Sequence, residues 1–250
     1  MIDAAGADAI ERATLAALPP RVLQCDDGWL LCANEGVVSR ANSVAPLTGG
    51  VDPLEAKIDR ALVFYRHQGL RPAFRVSPYA QPAGLAPALA ARGFAPGMTT
   101  LVMTRPLANA EPEDAPITLS SAPDAAWRAL FIAPDVSAAE ADLRISTLSR
   151  GQGTRFARLG KEGEVVAIGA ASVSGDWAGV HGMRTLAAHR SLGHGAKVLS
   201  RLLSDARERG ACKAFLQVEE DNTGAVRLYE RLGFLRAYRY DYWRPVQPSL

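Results

Sequence analysis

Two segments of the 250-residue chain repeat one order of secondary-structure signals. The first runs through "LEAKIDRALVFYRHQ" and "GLRPAFRV" to "ARGF" at 91–94, and the second through "AKVLSRLLSDARER" and "GACKAFLQV" to "RLGF" at 231–234. Each pattern predicts a helix, a strand, a turn, a second helix, a Gly-Phe pair and a further strand. The polar, proline-bearing stretch 108–116 is typical of a linker. We therefore expect two tandem halves, 1–112 and 113–250; the alternative is chance similarity between two α/β segments.

The second half carries the stronger local signals. An apolar stripe predicts a helix from Ala196 to Arg209, with Gly210 as its C-terminal cap. Residues 214–219 alternate between apolar and polar side chains, which is typical of a strand. Residues 164–188 are predicted to form two strands joined at 174–176. These elements predict a mixed α/β sheet flanked by helices.

Composition narrows the classes of partner. A formal net charge of +2 gives no reason to expect nucleic acid or an anionic membrane as a partner. The three cysteines Cys25, Cys32 and Cys212 are widely spaced and form no CxxC pair, so we expect no disulfide framework, no metal site and a reducing cytoplasm. The N-terminal segment carries acidic residues where a signal peptide has bases, and no apolar run reaches membrane length. We expect a first helix that ends before Pro19.

The stretch "HRSLGHGAKVL", residues 189–199, places a glycine-rich turn directly before a helix. A helix N-terminus has unpaired N–H groups and a partial positive charge, and Gly193 and Gly195 let an anion approach the backbone. Arg190 adds a fork of cationic donors. The loop suits a diphosphate, although a turn without a ligand is the alternative. It matches neither a Walker loop nor a dinucleotide fingerprint, so its ligand is expected to be coenzyme A.

Residues 183–234 resemble the acetyl-CoA-binding core of the GCN5-related N-acetyltransferases, the GNAT superfamily. The family loop, Arg/Gln-x-x-Gly-x-Gly/Ala, is matched by Arg190, Gly193 and Gly195. A later family pattern, Asn-x-x-Ala-x-x-Leu-Tyr followed by Gly-Phe, is matched by Asn222, Ala225, Leu228, Tyr229, Gly233 and Phe234. The close resemblance covers about residues 180 to 245. It implies a mixed sheet that splays open between two central strands, with acetyl-CoA in the splay.

The resemblance also implies which residues hold the cofactor. Backbone groups of the strand segment Met183, Arg184 and Thr185 would bind the acetyl and pantetheine arm. The diphosphate would bind the amides of Arg190, Ser191, Leu192, Gly193, His194, Gly195 and Ala196. The His194 side chain is expected to face solvent. Asn222 would cap a helix, contact the pantetheine arm, or do both.

Two proton transfers are needed when an amine attacks a thioester. By the family pattern Tyr229 would protonate the departing thiolate, because a phenol pKa of about 10 and a thiol pKa of about 8.5 are close; the alternative is a core aromatic. For the base we weigh His181, expected on one strand face with Met183 and Thr185, and Glu219 at the end of the next strand. A chain of waters is a further alternative.

The first half lacks the corresponding residues. When the two Gly-Phe pairs are aligned, Pro82 falls at the position of Asn222 and Leu89 at that of Tyr229. The first half is therefore expected to be a degenerate copy that shapes the substrate site. Residues 37–47 are the candidate pocket wall, because Arg40 and Asn42 would share a strand face; an ordinary edge strand is the alternative.

The sequence thus predicts an acetyl-CoA-dependent N-acetyltransferase that acts on a primary amine of a small molecule by direct attack in a ternary complex. The rivals are a non-catalytic acyl-CoA sensor, a protein acetyltransferase for α-amino or lysine groups, and transfer from a longer acyl donor. The amine and the oligomeric state stay open.

Overall fold

The computed structural model describes residues 2–108, 116–132 and 137–246. The first half contains α1 (Ala4–Ala17), β1 (Val22–Asp26), β2 (Trp29–Ala33), β3 (Val44–Pro46), α2 (Leu54–His67), β4 (Phe74–Val76), α3 (Leu85–Ala91) and β5 (Phe94–Pro106). The second half contains β6 (Ile117–Ser120), α4 (Ala125–Phe131), α5 (Ala138–Arg150), β7 (Arg155–Lys161), β8 (Glu164–Ser174), β9 (Trp177–Thr185), α6 (His194–Glu208), β10 (Lys213–Glu219), α7 (Thr223–Arg231) and β11 (Leu235–Pro245).

The repeated order of elements is present in the structure. The first copy is α2, β4, α3 and β5, and the second is α6, β10, α7 and β11. In each copy the Gly-Phe pair lies between the second helix and the last strand, and both glycines, Gly93 and Gly233, have positive φ. The predicted linker 108–116 lies almost wholly outside the described residues, and so does the boundary at 112/113.

The described strands form one mixed sheet in the order β1-β2-β3-β4-β11-β5-β10-β9-β8-β7-β6. The last strands of the two halves are exchanged: β5 pairs with β10 of the second half, and β11 pairs with β4 of the first. The exchanged strands pair with each other at the centre of the sheet, so the order of strands is nearly two-fold symmetric about them. One hydrogen-bonded sheet therefore runs through both halves.

Helices cover both faces of the second half. On one face α6 and α7 pack over the sheet through an apolar cluster that includes Val198, Leu202 and Tyr229. On the other face α4 and α5 pack over β7 and β8 around Trp127 and Phe156. Helix α1 lies on that second face as well, where Ile10 and its neighbours contact the centre of the sheet. Helix α6, which the glycine-rich loop precedes, is thus on one face, and α1 is on the other.

The local predictions for the second half are confirmed. Residues 214–219 lie in β10, where the Phe215 side joins the α1 cluster and the Leu216 side joins the α6 cluster. The turn at 174–176 joins β8 to β9, and Gly210 follows α6 with a φ of 96°. The thiols of Cys25, Cys32 and Cys212 are free. Among the described residues, no helix combines the length and the apolarity that a bilayer crossing requires.

Candidate active site

Two parallel strands separate in the middle of the sheet. Strands β9 and β10 pair from Trp177 to Val180 and from Lys213 to Leu216. Beyond these residues no further pair joins the two strands within the described part of the chain. The gap between the last residues of β9 and β10 is the splay that the resemblance implied. Backbone groups facing it are free of sheet partners on that side, so they are available to a ligand.

The glycine-rich turn forms an anion cradle at the start of α6. Gly193 is the N-terminal cap residue with a φ of 81°, and Ser191 also has positive φ. In the described structure the backbone N–H groups of residues 191–196 donate to no acceptor in the chain. A helix N-terminus with several free N–H groups favours an anion. The predicted diphosphate loop therefore has the backbone geometry that a diphosphate needs.

Side chains around this cradle connect it to β9. Gly195 is buried, and a Cβ atom there would lie 3.2 Å from the Oγ1 of Thr185. The exposed Arg190 donates from Nε to the Thr185 carbonyl at 3.4 Å. The end of β9 is thus within contact distance of the cradle, and the residues just before it, Met183 and Arg184, line the cleft described below.

The His194 side chain is half-buried, so it faces solvent only in part. Its two ring nitrogens are buried without a hydrogen-bond partner in the described structure, and its ring lies 5.8 Å from the ring of His189. Burial, followed by the charges of His189, Lys161 and Lys197, lowers the pKa of the His194 side chain. The expectation is therefore met only in part, because the His194 ring lies beside that of His189 at the same turn.

A bulge in β9 changes which side chains share a face. Ala170 pairs with His181 and Ile168 pairs with Arg184, so two residues of β9 lie opposite Gly169. The bulge is at Gly182, whose φ is 62°. An extra residue inverts the alternation beyond it.

The expectation that His181 shares a face with Met183 and Thr185 is therefore wrong. Met183 faces α6, since a Cβ atom on Gly169 would meet its sulfur together with Val198. His181 faces the α1 side, where its ring lies 6.0 Å from Phe215. The splay thus has a cofactor side towards α6 and an opposite side towards α1, and the glycine was the signal that could have revealed the change.

Tyr229 lies on α7 at the splay. It is buried, contacts Phe234 ring to edge at 6.1 Å, and lines the cleft. Burial raises the pKa of the Tyr229 phenol to about 12. Tyr229 is thus a packed aromatic that also lines the cleft, so its packing is compatible with the predicted proton transfer.

Asn222 caps α7. Its Oδ1 accepts a hydrogen bond from the backbone N–H of Ala225 at 3.2 Å. The residue also lines the cleft beside Tyr229. The capping bond engages one side-chain oxygen and leaves the amide N–H donors to face other groups.

The two candidate bases have opposite environments. His181 is buried, its Nε2 finds no hydrogen-bond partner in the described residues, and burial followed by the charge of Arg40 lowers the pKa of His181 to about 3. Glu219 is exposed at the end of β10 and also lines the cleft. Neutral His181 is consequently a poor acceptor for a proton from an ammonium group.

Residues 37–47 are not the continuous strand that the sequence suggested. Ser39–Ala41 form a short 3-10 turn, and only Val44–Pro46 are a strand, which lies inside the sheet between β2 and β4. The Asn42 side chain causes the difference: it accepts from the Asn34 N–H at 2.7 Å and donates to the carbonyls of Asn34 and Val37. An asparagine that bonds the local backbone in this way competes with strand pairing.

Arg40 and Asn42 therefore separate. Asn42 is buried and holds the 34–38 loop, so it does not line the cleft. Arg40 points the other way, lines the cleft, and lies 3.5 Å from the carbonyl of Gln217 on β10.

One cleft of about 530 Å³ joins these groups. The first half supplies the loop 36–40 and Thr100 of β5, and the second half supplies the ends of β9 and β10 with parts of α5 and α7. Side chains of the cleft that the sequence analysis did not single out include Met98, Thr100, Phe131, Glu140, Arg144, Gln217 and Tyr242. They come from strands and helices distant in sequence, and no local pattern marks them.

In the first half the position corresponding to the cradle is filled by the chain itself. The backbone N–H groups of Val51 and Asp52, just before α2, donate to the carboxylate of Asp27 at 3.0 Å. The buried Lys57 of α2 lies 3.0 Å from the same carboxylate. These hydrogen bonds lower the pKa of Asp27 to about 2. The start of α2 thus already holds an anion, the carboxylate of Asp27.

The splay of the first half is closed as well. Strands β3 and β4 pair at one position, and α1 covers the space beyond it. The buried Arg75 of β4 pairs with Glu11 of α1 at 2.7 Å. A cavity of about 130 Å³ is left there, about a quarter of the volume of the main cleft.

The splayed mixed sheet, with an open amide cradle beside the splay, defines the class of the protein as a GNAT-type acyltransferase. The fold agrees with that of the GCN5-related N-acetyltransferase from Kribbella flavida, at a TM-score of 0.71 and 20% identity over 97% of this chain and 96% of that one. A tandem GNAT protein from the clavulanic acid biosynthesis pathway matches 78% of this chain and 70% of its own, at a TM-score of 0.58 and 17% identity.

The sequence matches the family described as "Probable histone acetyltransferase Rv0428c C-terminal" over residues 5–243. It is 31% identical over 236 residues to the uncharacterized N-acetyltransferase YobR of Bacillus subtilis (strain 168), covering 90% of this chain and 93% of that protein. The chain belongs to this family of acetyltransferases, within the GNAT superfamily. GNAT acetyltransferases use acetyl-CoA, and the free amides at 191–196 fit its diphosphate.

Proposed function

We propose that this enzyme transfers the acetyl group of acetyl-CoA to the primary amine of a small molecule, by direct attack in a ternary complex. The observation that carries the proposal is the row of unbonded amides at 191–196, which adjoins the end of β9 and so leads into the cleft that Tyr229 lines. In this proposal residues 113–250 are the catalytic domain. Residues 1–112 are a degenerate copy that closes the acceptor side of the cleft.

The cofactor would be held at two places. The amides of 191–196 and the guanidinium of Arg190 would bind the diphosphate, since both donate hydrogen bonds to an anion and both lie at a helix N-terminus. Backbone groups of Met183, Arg184 and Thr185, on the unpaired edge of β9, would bind the pantetheine arm, together with the amide of Asn222. When bound, acetyl-CoA supplies an acetyl thioester, and the chain supplies its position.

The reaction forms a bond between the amine nitrogen and the acetyl carbon and breaks the carbon–sulfur bond. The amine gives up one proton to a base, and the thiolate takes up one proton. Tyr229 is the donor in our proposal because it lines the cleft at the splay. Burial, which raises the pKa of its phenol to about 12, keeps the phenol protonated but widens the gap to the thiol pKa, so the transfer depends on the position of the phenol. We assign the acceptor role to Glu219, directly or through water, in preference to His181, whose pKa of about 3 makes it a weak base.

Two measurements test the proposal. Calorimetric titration with acetyl-CoA and with CoA should show binding, and Gly195→Trp, which fills the cradle, should abolish it. A library of amines, with free thiol as the readout, should contain acceptors. Binding of acetyl-CoA without thiol release in the presence of any amine would favour the non-catalytic sensor. A series of longer acyl-CoA donors tests which acyl chain length the enzyme transfers.

Acetylation of proteins is the second candidate, because the description of the matching family reads "Probable histone acetyltransferase". Mass spectrometry of proteins from a deletion strain distinguishes the two. Lost acetylation at α-amino or lysine groups favours a protein substrate, and unchanged protein acetylation favours a small molecule.

A further inference from the structure

We propose that the amine acceptor carries a carboxylate close to its amine, as an amino acid does, and that Arg40 binds this carboxylate. The inference deepens the proposed function and rests on it. Arg40 lies in the 3-10 turn Ser39–Ala41 of the first half and projects into the cleft, next to β10.

The guanidinium of Arg40 is under-used in the chain. Its Nε is buried and has no hydrogen-bond partner in the described part of the chain, and one Nη contacts the Gln217 carbonyl at the long distance of 3.5 Å. Within the described residues Arg40 makes no ion pair, whereas Arg144, which lines the same cleft, is paired with Glu140 at 2.5 Å. A partly buried cation without a partner costs free energy, and an anionic ligand would offset that cost.

The turn that carries Arg40 is held in place from several directions. Asn42 bonds the backbone of the 34–38 loop, and Ser43 donates to the Ser39 carbonyl at 2.8 Å. Arg244 of β11 donates to the Ser39 hydroxyl at 3.2 Å. A fixed backbone reduces the entropy lost when the guanidinium binds a planar carboxylate through two hydrogen bonds.

A carboxylate, that of Glu219, lies on β10, the strand that Arg40 contacts. Glu219 follows Gln217 by two residues on β10, so both face the α1 side of the sheet and lie about 7 Å apart along the strand. The cleft therefore presents the guanidinium of Arg40 beside Gln217, with no ion-pair partner among the described residues, and the exposed carboxylate of Glu219. A zwitterion of amino-acid size is complementary to this pair, with its carboxylate at Arg40 and its ammonium group near Glu219. A polycationic peptide is not, because Arg40 would repel it.

The test compares matched acceptors. Acetyl-CoA and a panel of α-amino acids are assayed by thiol release beside the α-amides of the same amino acids, which keep the amine and lose the carboxylate. With the wild-type enzyme the best acids should exceed their amides in kcat/KM by about 10- to 100-fold, the range for a charge-assisted hydrogen bond. Glycine, β-alanine and γ-aminobutyrate vary the number of carbon atoms between the amine and the carboxylate.

Variants assign the difference to Arg40. In Arg40→Met the advantage of acids over amides should disappear through a higher KM, with a small change in kcat, and Arg40→Lys should restore part of it. Arg66→Met, which removes an exposed arginine of α2, should behave as the wild type. Equal kcat/KM for acids and amides with the wild-type enzyme, or an acid preference that survives in Arg40→Met, overturns the inference.

Failure of the inference and failure of the proposed function give different results. If acetyl-CoA does not bind in calorimetry, the proposed function fails. If it binds and amides or other neutral amines are acetylated as well as acids, the proposed function stands and the inference is wrong. If the protein binds acetyl-CoA without turnover, the rise in melting temperature is measured with the acids and with their amides. An equal rise with both again overturns the inference.

Discussion

The ammonium group of Lys57 lies 3.0 Å from the carboxylate of Asp27, and it is fully buried at the start of α2. The same carboxylate accepts from the backbone N–H groups of Val51 and Asp52. Helix α2 corresponds to α6 in the repeat, and at α6 the equivalent N–H groups have no acceptor among the described residues. The start of α2 thus holds an internal anion at the position where the start of α6 has room for a ligand.

Asp27→Asn should lower the melting temperature at pH 7, because it removes the charge that Lys57 and the two N–H groups bind. The pKa of Asp27 is lowered to about 2 in the folded protein from 3.8, so its contribution is present above pH 3.8 and is lost as the pH falls towards 2. The wild-type and variant melting temperatures should therefore converge below pH 4. Asp52→Asn, which removes a partly exposed partner of Arg60, is the control and should change stability little. Equal stability of Asp27→Asn and wild type at pH 7 would contradict this account.

Gly193→Ala should weaken the binding of CoA, since a residue with a φ of 81° in the cradle is forced to rearrange. Its matched control is Gly69→Ala, at a φ of 65° after α2; a Cβ atom would meet nothing within 4 Å at either glycine. Both should lose about 1 kcal/mol of unfolding free energy from the left-handed backbone. Calorimetry should show weaker CoA binding for Gly193→Ala alone. A similar loss in Gly69→Ala would mean that global destabilisation, not the cradle, sets affinity.

Much of the fold was predictable because its signals are local. The apolar stripe of α6, the alternation of β10 and the turn at 174–176 each depend on residues within a short window. The cradle belongs to this group, since glycine spacing before a helix fixes the direction of the N–H groups. The order of elements in the two copies follows for the same reason.

Other features depend on contacts between distant segments. Strand β5 pairs with β10 of the second half, and β11 pairs with β4 of the first. The apolar pattern of each strand fits a partner from either half, so the sequence does not predict this exchange. The bulge at Gly182 places His181 and Met183 on opposite faces, although alternation alone puts them on one face. Asp27 lies 24 residues before the N–H group of Val51 that it binds, so no local window links the two. These contacts are set by tertiary packing.

Tyr229→Phe should reduce kcat by about 100-fold, the lower range for loss of a general acid, while calorimetry shows CoA binding within about two-fold of wild type. The pKa of Tyr229 is raised to about 12, so the wild-type rate should show no alkaline loss from this group below about pH 10. Tyr79→Phe is the control, because that phenol donates to the Ile2 carbonyl at 2.7 Å and lies outside the main cleft. Unchanged kcat in Tyr229→Phe would remove the tyrosine from the proposed mechanism.

His181→Gln should make the protein less sensitive to mild acid. The pKa of buried His181 is lowered to about 3 from 6.5, because burial and then Arg40 disfavour the imidazolium. Below pH 6.5 the unfolded chain therefore binds a proton at His181 that the folded chain does not bind. The free energy of unfolding keeps its full value above pH 6.5 and declines as the pH falls from 6.5 towards 3. Urea unfolding at pH 8, 6 and 4.5 should show a smaller decline in the variant, with His67→Gln as a control for loss of an exposed imidazole. Equal slopes for His181→Gln and wild type would show that His181 takes up a proton in the folded state, and it would return as a candidate base.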